Sequence, residues 1–273
     1  MGKEIYTRDN FRSSLLKQII IRTDYSSLTD LNGFIMKLKS LEWFQHLFVG
    51  YHLVKTNNFN LQINPKAIEE RFIPLEINET SNIHRFFDCK IEPVQNLVMD
   101  IASNFICFTI ECNESYRNID DYINTMVRIL TTLKEYDSYV QITRLAIRKI
   151  DGKDFSSLED AYQTFEVMEA LGENIMDNII PLKKSYTDSF ISEDANIKVN
   201  FTRGIERFEQ QDGKQIIRCI LDMDGYIDSS LINLEEIKSD NIKSLLKENI
   251  NEELFKLFKA SVTETFLLNG RLS

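Results

Sequence analysis

Two kinds of hydrophobic spacing recur along the chain and predict its elements. In LLKQIIIRTD (15–24) and KQIIRCILDMDG (214–225), runs rich in β-branched and other apolar residues predict β-strands. Elsewhere apolar residues recur every three or four positions, which predicts amphipathic helices. The clearest helix is NIDDYINTMVRILTTLKEY (118–136), where Asn118 is expected to cap the N-terminus.

The predicted elements of residues 1–152 follow the order strand, helix, several strands, helix, strand. The first helix is expected to begin near Ser26, three antiparallel strands are expected within 84–112, and a strand within 139–150. A long connection at 55–82 interrupts the order and is expected to hold a short helix, PKAIEER. The order predicts an α+β fold whose N-terminal half is an elaborated ferredoxin-like (βαββαβ) unit.

Residues 153–273 are expected to form a second half, with a three-stranded antiparallel sheet and packed helices. Its first helix begins with a capping box formed by Ser156 and Glu159. The last helix, 251–268, is apolar on more than one face and is expected to start at Asn251. Such a helix must be buried against a sheet and a further surface, either the other half of the chain or a second copy. We expect a protein partner or a homodimer through this helix.

Composition and charge narrow the classes of protein. Hydrophobic residues make up 43% of the 273 positions, enough for a packed core, which excludes wholesale disorder. The net charge of −10 repels phosphate backbones and argues against nucleic-acid binding. No apolar run is long enough to span a membrane, and the N-terminus does not resemble a signal peptide. We expect a cytoplasmic protein.

The sequence contains no established catalytic or metal-binding motif. The four cysteines lack CxxC spacing and are expected to be reduced, buried thiols. The three histidines lack the spacing of a zinc site, and no nucleophile-elbow, P-loop or dinucleotide-binding pattern occurs. No cofactor, metal or catalytic residue is predicted.

One polar constellation could form a site. Arg144 and Arg148 fall on one face of strand 139–150, and Asp222 and Asp224 share one face of a later strand. Charges on an apolar strand face are costly unless they are matched, and the guanidinium fork holds a carboxylate with two hydrogen bonds. The apolar residues on the face of the two arginines are expected to be Val140, Ile142, Ala146 and Ile150.

Several interpretations of the four charges stay open. They form an ion-pair cluster that fixes the two halves in register, or a cleft that binds an anionic ligand through the arginines. Alternatively the aspartates bind Mg²⁺, or the arginines lie on a solvent-facing edge. The sequence therefore favours a non-catalytic binding or regulatory protein. The alternative is an anion-binding or metal-assisted enzyme that uses the paired Arg/Asp cluster.

The strand TRLAIRKID (143–151) resembles the R-x-G-L-R-Y-x-N signature of a sporadically distributed family of bacterial proteins of unknown function. Arg144 and Arg148 carry over from that signature. Its glycine, leucine, tyrosine and asparagine are replaced here by Ala146, Ile147, Lys149 and Asp151. The resemblance implies an accessory bacterial protein with a role in phage defence or mobile-element biology.

Overall fold

The fold is described by a computed structural model over residues 3–7, 15–60, 76–88, 96–113, 116, 118–168, 182–210, 212–234 and 239–270. These residues form one antiparallel sheet covered by helices. The strands are β1 (Leu16–Tyr25), β2 (Gly50–Asn60), β3 (Glu76–Phe87), β4 (Leu97–Ile101), β5 (Phe105–Glu111), β6 (Ile142–Phe155), β7 (Lys183–Ser192), β8 (Ile197–Glu209) and β9 (Gln215–Asp228).

The helices fall between β1 and β2, between β5 and β7, and after β9. They are α1 (Leu31–Lys39), α2 (Glu42–Leu47), α3 (Ile119–Tyr136), α4 (Leu158–Thr164), α5 (Ser239–Ser244), a π-helical segment (Leu245–Asn251), α6 (Glu252–Ser261) and α7 (Glu264–Gly270). None of the helices in the described part of the chain has the length and apolar character needed to cross a lipid bilayer.

The described strands form a single sheet of nine, in the order β2-β3-β4-β5-β1-β6-β9-β8-β7. The α+β class is therefore confirmed. The two halves expected from the sequence contribute to this one sheet, because β6 pairs with β1 on one side and with β9 on the other. Because β6 pairs with both β1 and β9, Arg144 and Arg148 lie between an N-terminal strand and a C-terminal strand.

The sheet has a buried face and an open face. Burial alternates along β1, β4, β5 and β9, because successive side chains point to opposite sides of a strand. On the three central strands the buried face, which packs against the helices, carries Ile19, Ile21, Leu145, Ile147, Leu221 and Met223. The open face of the same strands carries the half-exposed side chains of Ile20, Arg22, Arg144, Arg148, Asp222 and Asp224.

The face expected for the two arginines is only partly right. Ile150 does lie on the open face with them, but Ile142 is buried and pairs with Tyr25 on the buried side. A register shift in the pairing of β1 with β6 separates Ile142 from Arg144 and breaks the two-residue alternation there. The face that holds the arginines is consequently the polar side of the sheet, whereas Leu145 faces the core.

The N-terminal helices differ from the prediction at their starts. Asp30, not Ser26, is the N-cap of α1, and its carboxylate accepts a hydrogen bond from the Gly33 amide. Residues 44–54 include the end of α2 and the beginning of β2. The prediction for α3 is confirmed, and the Asn118 side chain accepts from the amide of Asp120.

The C-terminal helices also differ from the prediction. Asn251 has helical dihedral angles and caps nothing, since the π-helical segment continues directly into α6. The helix α6 ends at Ser261. Val262 has an extended backbone and forms an isolated antiparallel bridge with Phe165 before α7 begins. Most of the apolar residues that suggested self-association through 251–268 are buried within the chain itself: Leu254, Phe255, Phe258, Val262 and Leu267. Leu257 and Phe266 are partly buried against the same core.

The cap of α4 differs from the prediction by one residue, while the expected strands are present. The cap of α4 is Ser157, whose hydroxyl accepts from the Asp160 amide, one residue later than the expected Ser156. The strands expected within 84–112 and in the C-terminal half are confirmed. The short helix PKAIEER and Cys89 lie outside the described residues.

Gly225 lies on the buried face of β9 and allows the helices to approach the sheet. A Cβ at this position would lie 3.0 Å from Leu254 Cδ2 and 3.1 Å from Ile250 Cγ2. We expect Gly225→Ala to lower the free energy of unfolding by about 1–2 kcal/mol, because the packed side chains must shift. Chemical denaturation measures this effect. In the control Gly204→Ala, the new Cβ has its nearest neighbour at 3.7 Å, and an equal loss of stability there would contradict the explanation.

Candidate binding face of the sheet

A chain of ion pairs crosses the open face over β1, β6 and β9. Arg148 donates from Nε to Asp222 Oδ1 at 2.7 Å and from Nη2 to Asp222 Oδ2. Arg144 Nη2 lies 3.2 Å from Asp224 Oδ2, and its Nη1 lies 3.6 Å from Asp24 Oδ2. The expected pairing of the two arginines with the two aspartates is thus confirmed, and Asp24 joins the set.

Arg22 extends the chain on β1. Its Nε donates to Asp24 Oδ1 at 2.7 Å, and its guanidinium lies 4.5 Å from the centre of the Phe105 ring on β5. We call Arg22, Asp24, Arg144, Arg148, Asp222 and Asp224 the open-face network. Three guanidinium groups and three carboxylates make its formal charge zero.

The strand register explains the geometry of the pairs. Arg148 lies directly opposite Asp224, yet its guanidinium reaches diagonally to Asp222. Arg144 lies opposite Asp228 and reaches past Tyr226 to Asp224. Diagonal neighbours in antiparallel sheets are within reach of long side chains, which explains the Arg148–Asp222 pair. Arg144 lies directly opposite Asp24 on β1 and spans a longer offset to Asp224.

Tyr226 provides the apolar surface beneath Arg144. The Arg144 guanidinium lies 4.5 Å from the ring centre, and the Lys198 ammonium lies 5.9 Å from it on the other side. Lys198 also donates to Asp228 Oδ2 at 2.8 Å. The ring therefore has a cation near it from each of its two flanking strands, and each cation also contacts a carboxylate.

The network is neither buried nor fully solvated. The carboxylates of Asp24, Asp222 and Asp224 are 20–25% exposed, whereas Arg148 is 44% exposed. The hydrogen bonds to Asp222 raise the pKa of Arg148 above its ordinary value, with burial acting in the opposite direction. The pairs are thus partly shielded from water, and close to half of the Arg148 side chain remains exposed.

Arginines hold the acidic groups of the network, and neighbouring strands carry thiols with raised pKa values. No group of three or more His, Cys, Asp or Glu side chains in the described ranges is placed to hold a metal ion. Asp222 and Asp224 each accept from a different arginine. Burial raises the pKa of Cys107 to about 11 and of Cys219 to about 12, so both thiols stay protonated and are poor nucleophiles at neutral pH.

Sequence reasoning missed several members of the face. Arg22 and Asp24 alternate with Ile21 and Thr23 on β1, so the same two-residue test that found Arg144 would have placed them on one face. Across the sheet, Arg85 donates to Asp100 from both Nε and Nη2 at 2.7 Å, which repeats the motif on β3 and β4. The signal was present in the alternation, but only the sheet order shows which strands adjoin.

A small aromatic cavity lies on the other side of the sheet, near β2. It has a volume of about 190 Å³ and is lined by residues that include Lys39, Tyr51 and Phe86. The Lys39 ammonium lies 3.2 Å from the centre of the Tyr51 ring, and burial lowers its pKa. Since ligand pockets commonly measure about 300–1,000 Å³, this cavity suits only a very small molecule.

Asp151 is a buried carboxyl group on β6, separate from the network. It is 2% exposed and lies on the buried face, opposite Leu221 of β9. Burial raises its pKa to about 7, although the positive charges of Lys149 and Lys17 act to lower it. Near neutral pH this group therefore changes its protonation state in the folded protein.

We expect the Arg148–Asp222 pair to be energetically coupled. A double-mutant cycle with Arg148→Ala and Asp222→Ala should give a coupling of about 1 kcal/mol in the free energy of unfolding, because the pair is bidentate but partly screened by solvent. The matched cycle on Lys183 and Glu206, a pair at 3.8 Å with Lys183 71% exposed, should give a value near zero. Equal coupling in both cycles would contradict the assignment.

Asp151 should make stability depend on pH. Because its folded pKa of about 7 exceeds its unfolded value of 3.8, the folded state holds the proton more tightly. The contribution of this proton to stability is complete below pH 4 and is lost as the pH rises through 7. Asp151→Asn should therefore gain stability relative to the wild type between pH 5 and pH 8, measured by denaturation at each pH.

Asp154→Asn is the control for this pH dependence. The hydrogen bond from Arg218 lowers the pKa of Asp154, so its contribution is lost only on acidification below its unfolded value. Its difference from the wild type should be constant over the same interval. A constant difference for Asp151→Asn as well would refute the assignment of Asp151.

The functional assignment depends on this geometry. No protein-family model matches the chain, and no curated protein matches it in sequence. A functional assignment must explain why the open face of the sheet carries arginines and aspartates that are already paired with one another.

Proposed function

We propose that the protein is a non-catalytic binding or regulatory protein that recognises a protein partner through the open face of its sheet. The observation that carries the proposal is the open-face network, in which Arg144 and Arg148 pair with Asp24, Asp222 and Asp224 while 44% of the Arg148 side chain stays exposed. A face of this kind presents both charge signs in a fixed pattern.

A protein surface is the ligand that fits this pattern. The network has no net charge, so it offers little attraction to a free anion or to a polyanion such as nucleic acid. A partner with its own alternating acidic and basic side chains can add hydrogen bonds to the outer donors of Arg148 and to Asp222 without breaking their bond. Electrostatic patterns of this type affect the specificity of binding more than the affinity.

The alternative function is an anion-binding or metal-assisted enzyme built on the same four residues. It would require Arg144 and Arg148 to exchange their carboxylate partners for a ligand, or Asp222 and Asp224 to exchange arginines for a cation. Each exchange loses a charge-assisted hydrogen bond that already exists. The geometry gives this alternative less support.

The ferredoxin-like interpretation of the N-terminal half is also a proposal. It is supported by the neighbouring strands β4-β5-β1-β6, which lie in the order 2-3-1-4 of a βαββαβ unit, with helices after β1 and after β5. In this interpretation the hairpin β2-β3 is an addition at the sheet edge. The halves 1–152 and 153–273, the bacterial origin and the accessory role in phage defence remain predictions from the sequence.

A charge swap tests the proposed binding face. The double variant Arg148→Asp with Asp222→Arg keeps an ion pair between β6 and β9 but exchanges the signs presented to a partner. We expect its fold and stability to be close to wild type and its affinity for a partner captured from the native host to fall by at least about tenfold. Calorimetry with the purified partner measures the change.

The control swap is Lys3→Glu with Glu166→Lys, a pair at 3.0 Å that belongs neither to the open-face network nor to β7. It should bind the partner as the wild type does. Equal binding by the Arg148/Asp222 swap would refute recognition through this face. Titration with inorganic phosphate tests the alternative, because binding that is lost in Arg148→Ala would favour an anion site.

A further inference from the structure

Among the strands that the structure describes, β7 (Lys183–Ser192) is the last of the sheet, and no other described strand pairs with its outer edge. It pairs with β8 on one side and is last in the strand order. Its side chains are exposed along both faces, including apolar ones: Tyr186 is 56% exposed and Ile191 54%. A long exposed edge strand offers unpaired backbone N–H and C=O groups to another strand.

The two edges of the sheet differ in a way that singles out β7. At the other edge, the pairing of β2 with β3 has a register shift between Thr56 and Asn58. Such irregularities bend a strand and blunt an edge against further pairing. By contrast, β7 pairs with β8 in one uninterrupted register from Lys183 to Ser192.

Hydrogen bonds at the end of β7 show which of its backbone groups point outward. The Arg207 amide donates to the Leu182 carbonyl at 2.7 Å. Because hydrogen-bonded pairs alternate in an antiparallel ladder, even-numbered residues of β7 bond to β8 and odd-numbered residues face away. On the other side of β8, the Gln210 amide donates to the Lys214 carbonyl at 2.9 Å, which gives the same alternation.

We propose that two copies of this chain associate through β7, antiparallel about a twofold axis at Tyr186, so that their sheets become continuous. In this register Lys184 of one copy lies opposite Asp188 of the other, which also pairs with Arg203 of its own chain, and the arrangement occurs twice. Leu182 lies opposite Phe190, also twice, and the two Tyr186 rings meet at the axis. The outward N–H and C=O groups of the odd-numbered residues bond across the interface.

Neighbouring registers are less favourable. An axis at Asp188 brings two carboxylates together, which costs energy between directly opposed strands. With the axis at Thr187, Lys184 lies opposite Phe190 and Tyr186 lies opposite Asp188, so both charge pairs are lost. Self-complementarity of one register is the property expected of a twofold interface.

This interface goes beyond the proposed function, because it lies at the sheet edge and uses no residue of the open-face network. It also differs from association through residues 251–268, whose Leu254 and Phe258 are buried within the chain. The two proposals can therefore fail separately.

The first test is the mass of the full-length protein in solution. Light scattering over a micromolar concentration series should give a dimer for the wild type and a monomer for Tyr186→Lys, since two lysines would meet at the axis. Tyr139→Lys, the same change at a side chain 90% exposed away from β7, should remain a dimer. A monomeric wild type, or a dimer that persists in a folded Tyr186→Lys, would overturn the proposal. Circular dichroism establishes that the variants are folded.

The second test determines the register. The Cα atoms of a directly opposed non-hydrogen-bonded pair lie about 4.5 Å apart, within the range of a disulfide. Tyr186→Cys should therefore cross-link between copies on mild oxidation, whereas Thr187→Cys should not, because its counterpart is Ser185. The wild type, with its native cysteines, is the control for background. Cross-linking at 187 and not at 186 would overturn the proposed pairing.

Discussion

The pairing of β6 with β9 is the interaction on which the rest of the structure depends. These strands are in continuous register over residues 144–155 and 217–228, and they join the N-terminal and C-terminal strands into one sheet. The ladder itself carries no specificity for register, since backbone bonds repeat along any pair of strands. Specificity comes from the side chains: Leu145 and Ile227 face the core on one side, and Arg148 meets Asp222 on the other.

A slip of the ladder by one residue would reverse both faces. It would expose the apolar row that packs against the π-helical segment and α6, and it would bury guanidinium groups without partners. The ion pairs thus contribute little net free energy to the native state, because they are partly exposed. Their larger effect is to make slipped registers unfavourable. Gly225 adds a further constraint, because a Cβ at that position would lie 3.0 Å from Leu254 Cδ2 and the packed side chains would have to shift.

Much of the fold and part of the site could be predicted from local patterns. Alternation placed most strands, the Asn118 cap marked α3, and equal spacing paired the arginines with the aspartates. The errors arose where the decisive information is not local. The start of α1 is set by Asp30, one of several capping residues in that stretch, and the position of Ile142 is set by a register shift that only the pairing with β1 produces. The single sheet likewise depends on strand order, which residue patterns do not encode.

The charge distribution supports recognition through the open face. The chain carries a net charge of −10, yet the open-face network is formally neutral, so the excess acid lies elsewhere. An acidic surface repels other acidic proteins and polyanions, whereas a neutral, patterned area lets a partner approach at one place. The strand β7 also carries charges of both signs, with Lys183 and Lys184 before Asp188. On both surfaces basic side chains balance acidic ones locally, which is the condition that the two proposals require.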